Sequence, residues 1–318
     1  MRPRTFDPTQ TADLHVERAA AVIDEARRLA EEHHVPRAAD DRLRVAAFGI
    51  DVQVAFCLPQ GSLFVPGAVE DTTRALEFLY DHVESLTTLI LSLDTHRVFQ
   101  IFHPSFWIDR EGKHPAPFTV ITKADVSEGR WVPTRDPDAA LDYVERLEAG
   151  GKYVLTVWPY HALLGGVSHA LVPAMMELSL FHAALRDAPT VFETKGMHPW
   201  TESYSVLAPE VTEVAGQRVG TFNDGLFDLV MKHDRVYVFG QAKSHCVLST
   251  LRDLQRKIAE TDRALARRIY ILEDAMSPVP PPPLAPLPPE LDFPEIARRA
   301  MRELGDFGMN VVRCADAW

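Results

Sequence analysis

Cys246 follows an apolar run and a bend. Val236-Tyr237-Val238-Phe239 reads as a buried parallel strand, Gly240-Gln241-Ala242 as the bend, and Cys246 as the start of a helix that continues through Leu248-Ser249-Thr250-Leu251. A thiol there feels the positive end of the helix dipole, which favours the thiolate. The unpaired N–H groups of that first turn can also hold an oxyanion. The position suits a nucleophile; the competing reading is an inert buried thiol. Asp51 closes a second apolar run, Val45-Ala46-Ala47-Phe48-Gly49-Ile50. A carboxylate in such a place is costly unless paired, so it either caps a turn or serves as an acid/base. Lys195, in Phe192-Glu193-Thr194-Lys195-Gly196, is either solvated or turned into a site, where it lowers a thiol pKa and stabilises negative charge. Asp94-Thr95-His96 projects a carboxylate and an imidazole to the same side of an extended segment. A histidine from the next strand end completes a two-His, one-carboxylate set that leaves positions for water or substrate. His161 is the candidate; His103, His114 and His169 compete with it.

These residues need a frame that brings strand ends together. The pattern alternates. Strands are expected at about Leu43–Ile50, Leu86–Leu93, Tyr153–Val157, Thr190–Glu193, Val236–Phe239, Ile269–Leu272 and Asn310–Arg313. Helices are expected at about Thr11–His33, Val69–His82, Ala170–Arg186, after Cys246, and at Phe293–Leu304. Alternation of this kind predicts an α/β fold in three layers, a mostly parallel sheet of about six strands with helices on both faces. In open sheets of that type, ligands bind beyond the carboxyl ends of the strands. Residues 1–40 read as an N-terminal helical arm and residues 41–318 as the main domain. Two segments interrupt it. Residues 102–150 form a loop-rich insertion carrying Phe106, Trp107, Phe118 and Trp131, whose default fate is burial in the domain or an interface. Residues 278–289 are a proline-rich stretch expected to be extended on the surface.

Composition narrows the class. The 318 residues are 46% hydrophobic and 25% charged, an ordinary globular balance. A formal net charge of −12 with no compensating basic stripe argues against a nucleic-acid partner. Three cysteines make no disulfide framework and suit a reducing cytoplasm. No apolar run approaches the ~20 residues of a membrane span, and the N-terminus lacks the apolar core of a secretion signal.

Taken together, the motifs resemble the isochorismatase-like cysteine hydrolases. Asp51, Lys195 and Cys246 occur in that superfamily's order and on its strand ends. The nicotinamidase branch is the nearest match. Ser92-Leu93-Asp94-Thr95-His96 with His103-Pro104-Ser105-Phe106 resembles its metal-binding segment, and Trp158-Pro159-Tyr160-His161 its Trp-Pro-x-His segment. Lys195-Gly196 with Glu202-Ser203-Tyr204-Ser205, and Gly61-Ser62-Leu63 with Val65-Pro66-Gly67-Ala68, resemble two more. The resemblance spans about Val45 to Arg313. It implies a metal-containing amidohydrolase that converts a small heteroaromatic amide to acid and ammonia through a Cys246 thioester. Asp51 would move the proton and Lys195 would support the charge. The N–H groups of Ala242 and Cys246 would form the oxyanion hole, with the Gln241–Ala242 bond cis. Phe56, Trp158 and Tyr204 would contact the substrate ring. Asp94, His96 and His161 would hold one divalent metal, Zn²⁺ first, with Fe²⁺ and Mn²⁺ as alternatives. The family's habit also implies a homo-oligomer.

Departures from the family pattern gather at the rim. Lys243-Ser244 stands where Thr-Asp is common, His245 adjoins the nucleophile, Glu202 replaces an Asp, and Ala162 replaces a Cys. The alternative is therefore the same cysteine chemistry on another carbamoyl or amide substrate, with the metal structural or absent. A non-haem iron oxygenase leaves Cys246 and Lys195 unexplained, and a silent binding protein leaves the whole trio so.

Overall fold

The computed structural model describes residues 1–281 and 286–318. Its central sheet has six parallel strands: β1 (Val45–Ile50), β2 (Thr88–Asp94), β3 (Val191–Lys195), β4 (Arg235–Gly240), β5 (Ile269–Leu272) and β6 (Asn310–Val312). They lie in the order β6-β5-β4-β1-β2-β3. The chain steps outward from β1 in one direction and from β4 in the other. The junction of β1 and β4 is thus the switch point where such sheets open a cleft. Gly240 ends β4 at φ 117°, and a Cβ there would collide with the Ile50 carbonyl, so the two strand ends meet in backbone contact.

Among the described residues seven longer helices accompany the sheet: α1 (Ala19–Glu32), α2 (Ala68–His82), α3 (Pro137–Gly150), α4 (Pro173–Arg186), α5 (Asp224–Met231), α6 (Cys246–Thr261) and α7 (Phe293–Phe307). Strand β1 shows how both faces are filled. Ala46, Phe48 and Ile50 join Val247, Leu251 and Leu254 of α6 and Met301 and Leu304 of α7. Val45 and Ala47 join Leu76 and Leu79 of α2 and Leu178 and Phe181 of α4. The period-2 strand feeds two cores at once, which is why its sequence lacks polar alternation. In α6 the apolar positions 247, 251, 254 and 258 recur at helical spacing.

Three expectations are corrected. Tyr153–Val157 is not a strand of the sheet: only Leu155–Thr156 is extended, paired antiparallel with Val120–Ile121. The 102–150 insertion is not mainly loop, since it contains α3. Asp136 caps that helix by accepting from the Ala139 N–H, Pro137 opens it, and Gly151 ends it at φ 65°. The first helix starts at Ala19 rather than near Thr11, because the backbone N–H of Arg18 donates to Glu177 of α4 at 2.8 Å. Helix α1 then packs on α4. Of the insertion's aromatics, Phe106 and Trp107 are buried and Phe118 is exposed. Residues 282–285 of the proline-rich stretch lie outside the described residues. Among the described residues, no helix is long and apolar enough to cross a membrane.

A buried carboxyl away from the strand ends sets a pH dependence of stability. Both carboxyl oxygens of Glu210 lack a hydrogen-bond partner, with Lys152 Nζ 3.7 Å away. Burial pushes the group up from 4.5 to about 7. The folded state therefore holds this proton where the unfolded chain releases it. The contribution to stability is full below about pH 4.5 and is lost as pH rises to about 7. Glu210→Gln is expected to flatten the fall of the urea midpoint between pH 5 and pH 7.5. An equal fall in wild type and variant would assign the slope to other groups.

Candidate active site

Four strand ends deliver the site. Asp51 follows β1, Asp94 closes β2, Lys195 closes β3, and Cys246 opens α6 just past β4. Asp51 sits at φ 49°, which turns its carboxylate back over the sheet end. There its Oδ1 accepts from Ser92 Oγ at 2.6 Å, and its own N–H donates to the same Oγ at 3.0 Å. Its second oxygen, Oδ2, lies 2.9 Å from Lys195 Nζ as an ion pair. That oxygen has no aligned hydrogen-bond donor, so it is free to take a proton.

Lys195 is the hub. Its Nζ reaches Asp94 Oδ1 at 2.9 Å, the Ser203 carbonyl at 2.8 Å and Cys246 Sγ at 3.5 Å, besides Asp51. Burial works against its charge, but Asp51 and Asp94 outweigh burial and hold the ammonium form well above the ordinary lysine range. Burial likewise opposes ionisation of Asp94, and the charges of His96 and Lys195 overcome it.

The thiol departs from the sequence reading. Burial pushes Cys246 well above the ordinary thiol range; Lys195 opposes this, and Asp51 and Asp94 add to it. One ammonium does not outweigh two buried carboxylates and the loss of water. Burial thus favours the thiol over the thiolate, and a neighbouring base is needed to take its proton.

The second cluster adjoins the first through Asp94. Ligand atoms of Asp94, His96 and His161 lie within 4.8 Å of one another, all buried. His96 Nδ1–H donates to the Gly196 carbonyl at 3.2 Å, and His161 Nδ1–H to the Pro159 carbonyl at 2.7 Å. Each ring keeps its Nε2 side for Asp94; burial opposes charge on both, but the charge and hydrogen bond of Asp94 raise the His96 imidazole, whereas His161 is lowered. The two Nε2 atoms face Asp94 Oδ2 at 2.7 and 3.7 Å. A proton shared by His96 and Asp94 satisfies that pair as it stands, and the His₂-carboxylate donor set also fits a divalent ion. Gly196, at φ 78°, permits this: a Cβ would come 2.7 Å from both Asp94 Oδ1 and His96 Cε1.

His103 does not join the three, but it stands next to them, its ring 5.7 Å from His96 and 5.8 Å from His161. Its Nδ1 serves the Arg97 and Val98 carbonyls and its Nε2 is buried without a partner. His114 bonds the Trp107 carbonyl and His169 bonds Thr95, both apart from the triad.

A cavity of about 30 Å³ lies over Cys246. Phe56, Trp158 and Tyr204 line it, and Trp158 Nε1–H donates to the Tyr204 hydroxyl at 3.0 Å. Glu202, His245 and Val279 line it as well. The Gln241–Ala242 peptide is cis. Among the described residues no acceptor meets the N–H of Ala242 or of Cys246. Sequence reasoning missed the supports. Ser92 holds Asp51, and Gln53 grips Asp94 from both sides, its Oε1 accepting from the Asp94 N–H at 2.7 Å and its Nε2 donating to the Asp94 carbonyl at 2.9 Å. The only signal for Gln53 was its place two residues after Asp51.

No protein-family profile matches the chain, and no curated protein matches it by sequence. Solved structures do. The yeast nicotinamidase bound to the inhibitor nicotinaldehyde superposes with a TM-score of 0.54 at 18% identity, over 85% of this chain and 99% of that one. The Acinetobacter baumanii nicotinamidase/pyrazinamidase gives a TM-score of 0.54 at 19% identity, over 87% and 99%. At these identities the likeness establishes the fold. The chain has the isochorismatase-like α/β architecture of these proteins, with extra length in this chain.

Proposed function

We propose that the protein is a metal-containing cysteine amidohydrolase acting on a small heteroaromatic amide, of the kind its structural neighbours are named for. One observation carries the reading: a single buried ammonium, Lys195 Nζ, touches the nucleophile, the base and the metal cluster together. In the reaction, Cys246 Sγ attacks the amide carbonyl while the thiol proton passes to Asp51 Oδ2. Lys195 offsets the charge that develops, and the N–H groups of Ala242 and Cys246 hold the oxyanion. Asp51 returns the proton to the nitrogen, the C–N bond breaks, and ammonia leaves a thioester. Water then attacks the thioester while Asp51 takes its proton; the C–S bond breaks, the acid leaves, and Asp51 returns the proton to Cys246 Sγ. Asp94, His96 and His161 would hold the divalent ion, which supplies a Lewis-acid anchor for a ring nitrogen. The same trio on a non-aromatic carbamoyl compound is the second reading, favoured only by the replacement of rim residues.

Two measurements test the proposal. Metal analysis of the purified protein is expected to find about one divalent ion per chain, and His161→Ala is expected to lose most of it; unchanged stoichiometry in the variant would remove His161 from the ligand set. Ammonia release should reach a kcat/KM of order 10⁴ M⁻¹s⁻¹ on nicotinamide or a related ring amide. Turnover confined to simple carbamoyl compounds would overturn the ring-amide assignment and leave the second reading.

A further inference from the structure

A second, larger cavity shares Tyr204 and His245 with the one over Cys246, and the reaction above does not use it. It holds about 520 Å³, the size of a small-molecule site. Its floor is aromatic. Tyr153 stacks on His245 at 5.5 Å and 18°, Phe293 meets His245 at 4.8 Å, and Tyr153 lies 4.6 Å from Tyr204. The Tyr153 hydroxyl, 2.9 Å from Ser249 Oγ, holds that ring in place. Leu291 and Ile296, on either side of the start of α7, extend the apolar wall. Three charged side chains complete the lining among the described residues: Glu148, Lys152 and Arg252. Two of them are engaged. Glu148 Oε1 accepts from the Lys123 N–H at 2.6 Å, and Lys152 Nζ faces Glu210 at 3.7 Å and Asp253 at 3.8 Å. Asp253 is drawn on again by Arg256 at 3.0 Å. Arg252, half-buried on α6, has neither an ion pair nor a hydrogen-bond acceptor among the described residues. Its guanidinium is a planar fork of N–H donors that matches a carboxylate.

We propose that this cavity is a second ligand site, which takes a flat aromatic monocarboxylate. The ring lies on the floor of Tyr153, His245 and Phe293, where offset or edge contacts between rings are favourable. The carboxylate pairs with the Arg252 fork. One negative charge is the match: a phosphate dianion or a dicarboxylate would set surplus charge against Glu148, and Lys152 is already shared between two carboxyls. An uncharged ring of the same shape fills the floor but leaves the guanidinium unanswered. None of Asp51, Lys195 and Cys246 lines the site, so the inference stands apart from the amidohydrolase reading.

The probe is 2-naphthoate, with 2-naphthalenemethanol as its uncharged analogue, each titrated calorimetrically into the full chain. Wild type is expected to bind the acid at least about tenfold more tightly than the alcohol, the value of a hydrogen bond to a charged group. Arg252→Leu should remove that preference and Arg252→Lys should restore part of it. Arg256→Leu, one turn further along α6, should leave it unchanged. Equal affinities for acid and alcohol in wild type, or an acid preference that survives in Arg252→Leu, overturn the proposal. Position is read without a variant. A crystal structure of wild type with 2-naphthoate is expected to show the ring against Tyr153 and Phe293 and the carboxylate at Arg252; density over Cys246 alone, or none, overturns it. Metal-loaded and chelated protein should bind the acid equally, and a loss on chelation would move the acid to the Asp94–His96–His161 cluster and overturn it as well. If the acid binds at Arg252 and no ring amide is hydrolysed, the amidohydrolase reading alone has failed.

Discussion

Cys246→Ala is expected to lower amide hydrolysis by at least about 10⁴-fold, the scale seen when a member of a catalytic unit is removed. The size follows from the arrangement. The Sγ lies 3.5 Å from Lys195 Nζ at the start of α6, and no other thiol is placed to substitute. Cys57 is fully buried behind the cavity wall and is pushed up to about 12 by that burial. The substitution removes one sulfur from a packed site, so fold and metal content should stay as in wild type. The informative measurement is single-turnover ammonia release by metal-loaded protein. Residual turnover within a hundredfold of wild type would transfer the attack to a metal-bound hydroxide and refute the thioester route.

Lys195→Met is expected to act on stability as strongly as on rate. Asp51 and Asp94 are both buried, and Lys195 Nζ pairs with each at 2.9 Å. Removing one partner from a buried ion pair costs about 3–5 kcal/mol, because the remaining charge has neither water nor counter-ion. Asp94 is held well below the usual carboxylate range by His96 and Lys195. A depressed carboxylate contributes stability above its unfolded pKa and loses it as pH falls through the folded value. Without the lysine that contribution shrinks, and the buried carboxyls take up protons more readily. The deficit should therefore be largest near pH 7 and smaller near pH 4.5. Urea unfolding of chelated wild type and variant at the two pH values checks this. A loss under 1 kcal/mol at pH 7 would mean that the two carboxylates are compensated by something other than the ammonium.

Local pattern made part of this architecture readable, and distance hid the rest. The apolar runs of β1, β2 and β4 are continuous because both faces are buried, and a strand end followed by Asp, Lys or a bend to Cys can be recognised in one dimension. Tyr153–Val157 shows the limit. Its apolar content is that of a strand, but its partner is Val120–Ile121 rather than the sheet, and pairing partners leave no mark in a five-residue window. Helix α3 was hidden differently. Asp136, Pro137 and Gly151 are ordinary start and stop residues for a helix, but they sit inside a segment expected to be loop-rich as a whole. The thiol's upward shift was out of reach for another reason. Its sign depends on how many carboxylates surround the group, and Asp94 comes to that place from a strand 152 positions earlier in a 318-residue chain. The supports Ser92 and Gln53 carry no chemistry of their own, so residue type gave no reason to single them out.

The cavity over Cys246 has a thermodynamic consequence. At about 30 Å³ it has room for a water or two. A cavity that takes up benzene measures about 150 Å³. Binding of a ring amide is therefore expected to draw on conformers in which the wall has moved, and Val279, tied to the Cys246 loop through Ser244, is part of that wall. Every ligand's apparent dissociation constant is then its intrinsic one divided by the open fraction: if about one molecule in a hundred is open, affinity is weakened about a hundredfold. Two ligands that differ only in how they fit the open form keep their ratio, because the fraction cancels. Selectivity in this protein can thus be sharp while absolute affinity stays weak, and the two have to be measured separately.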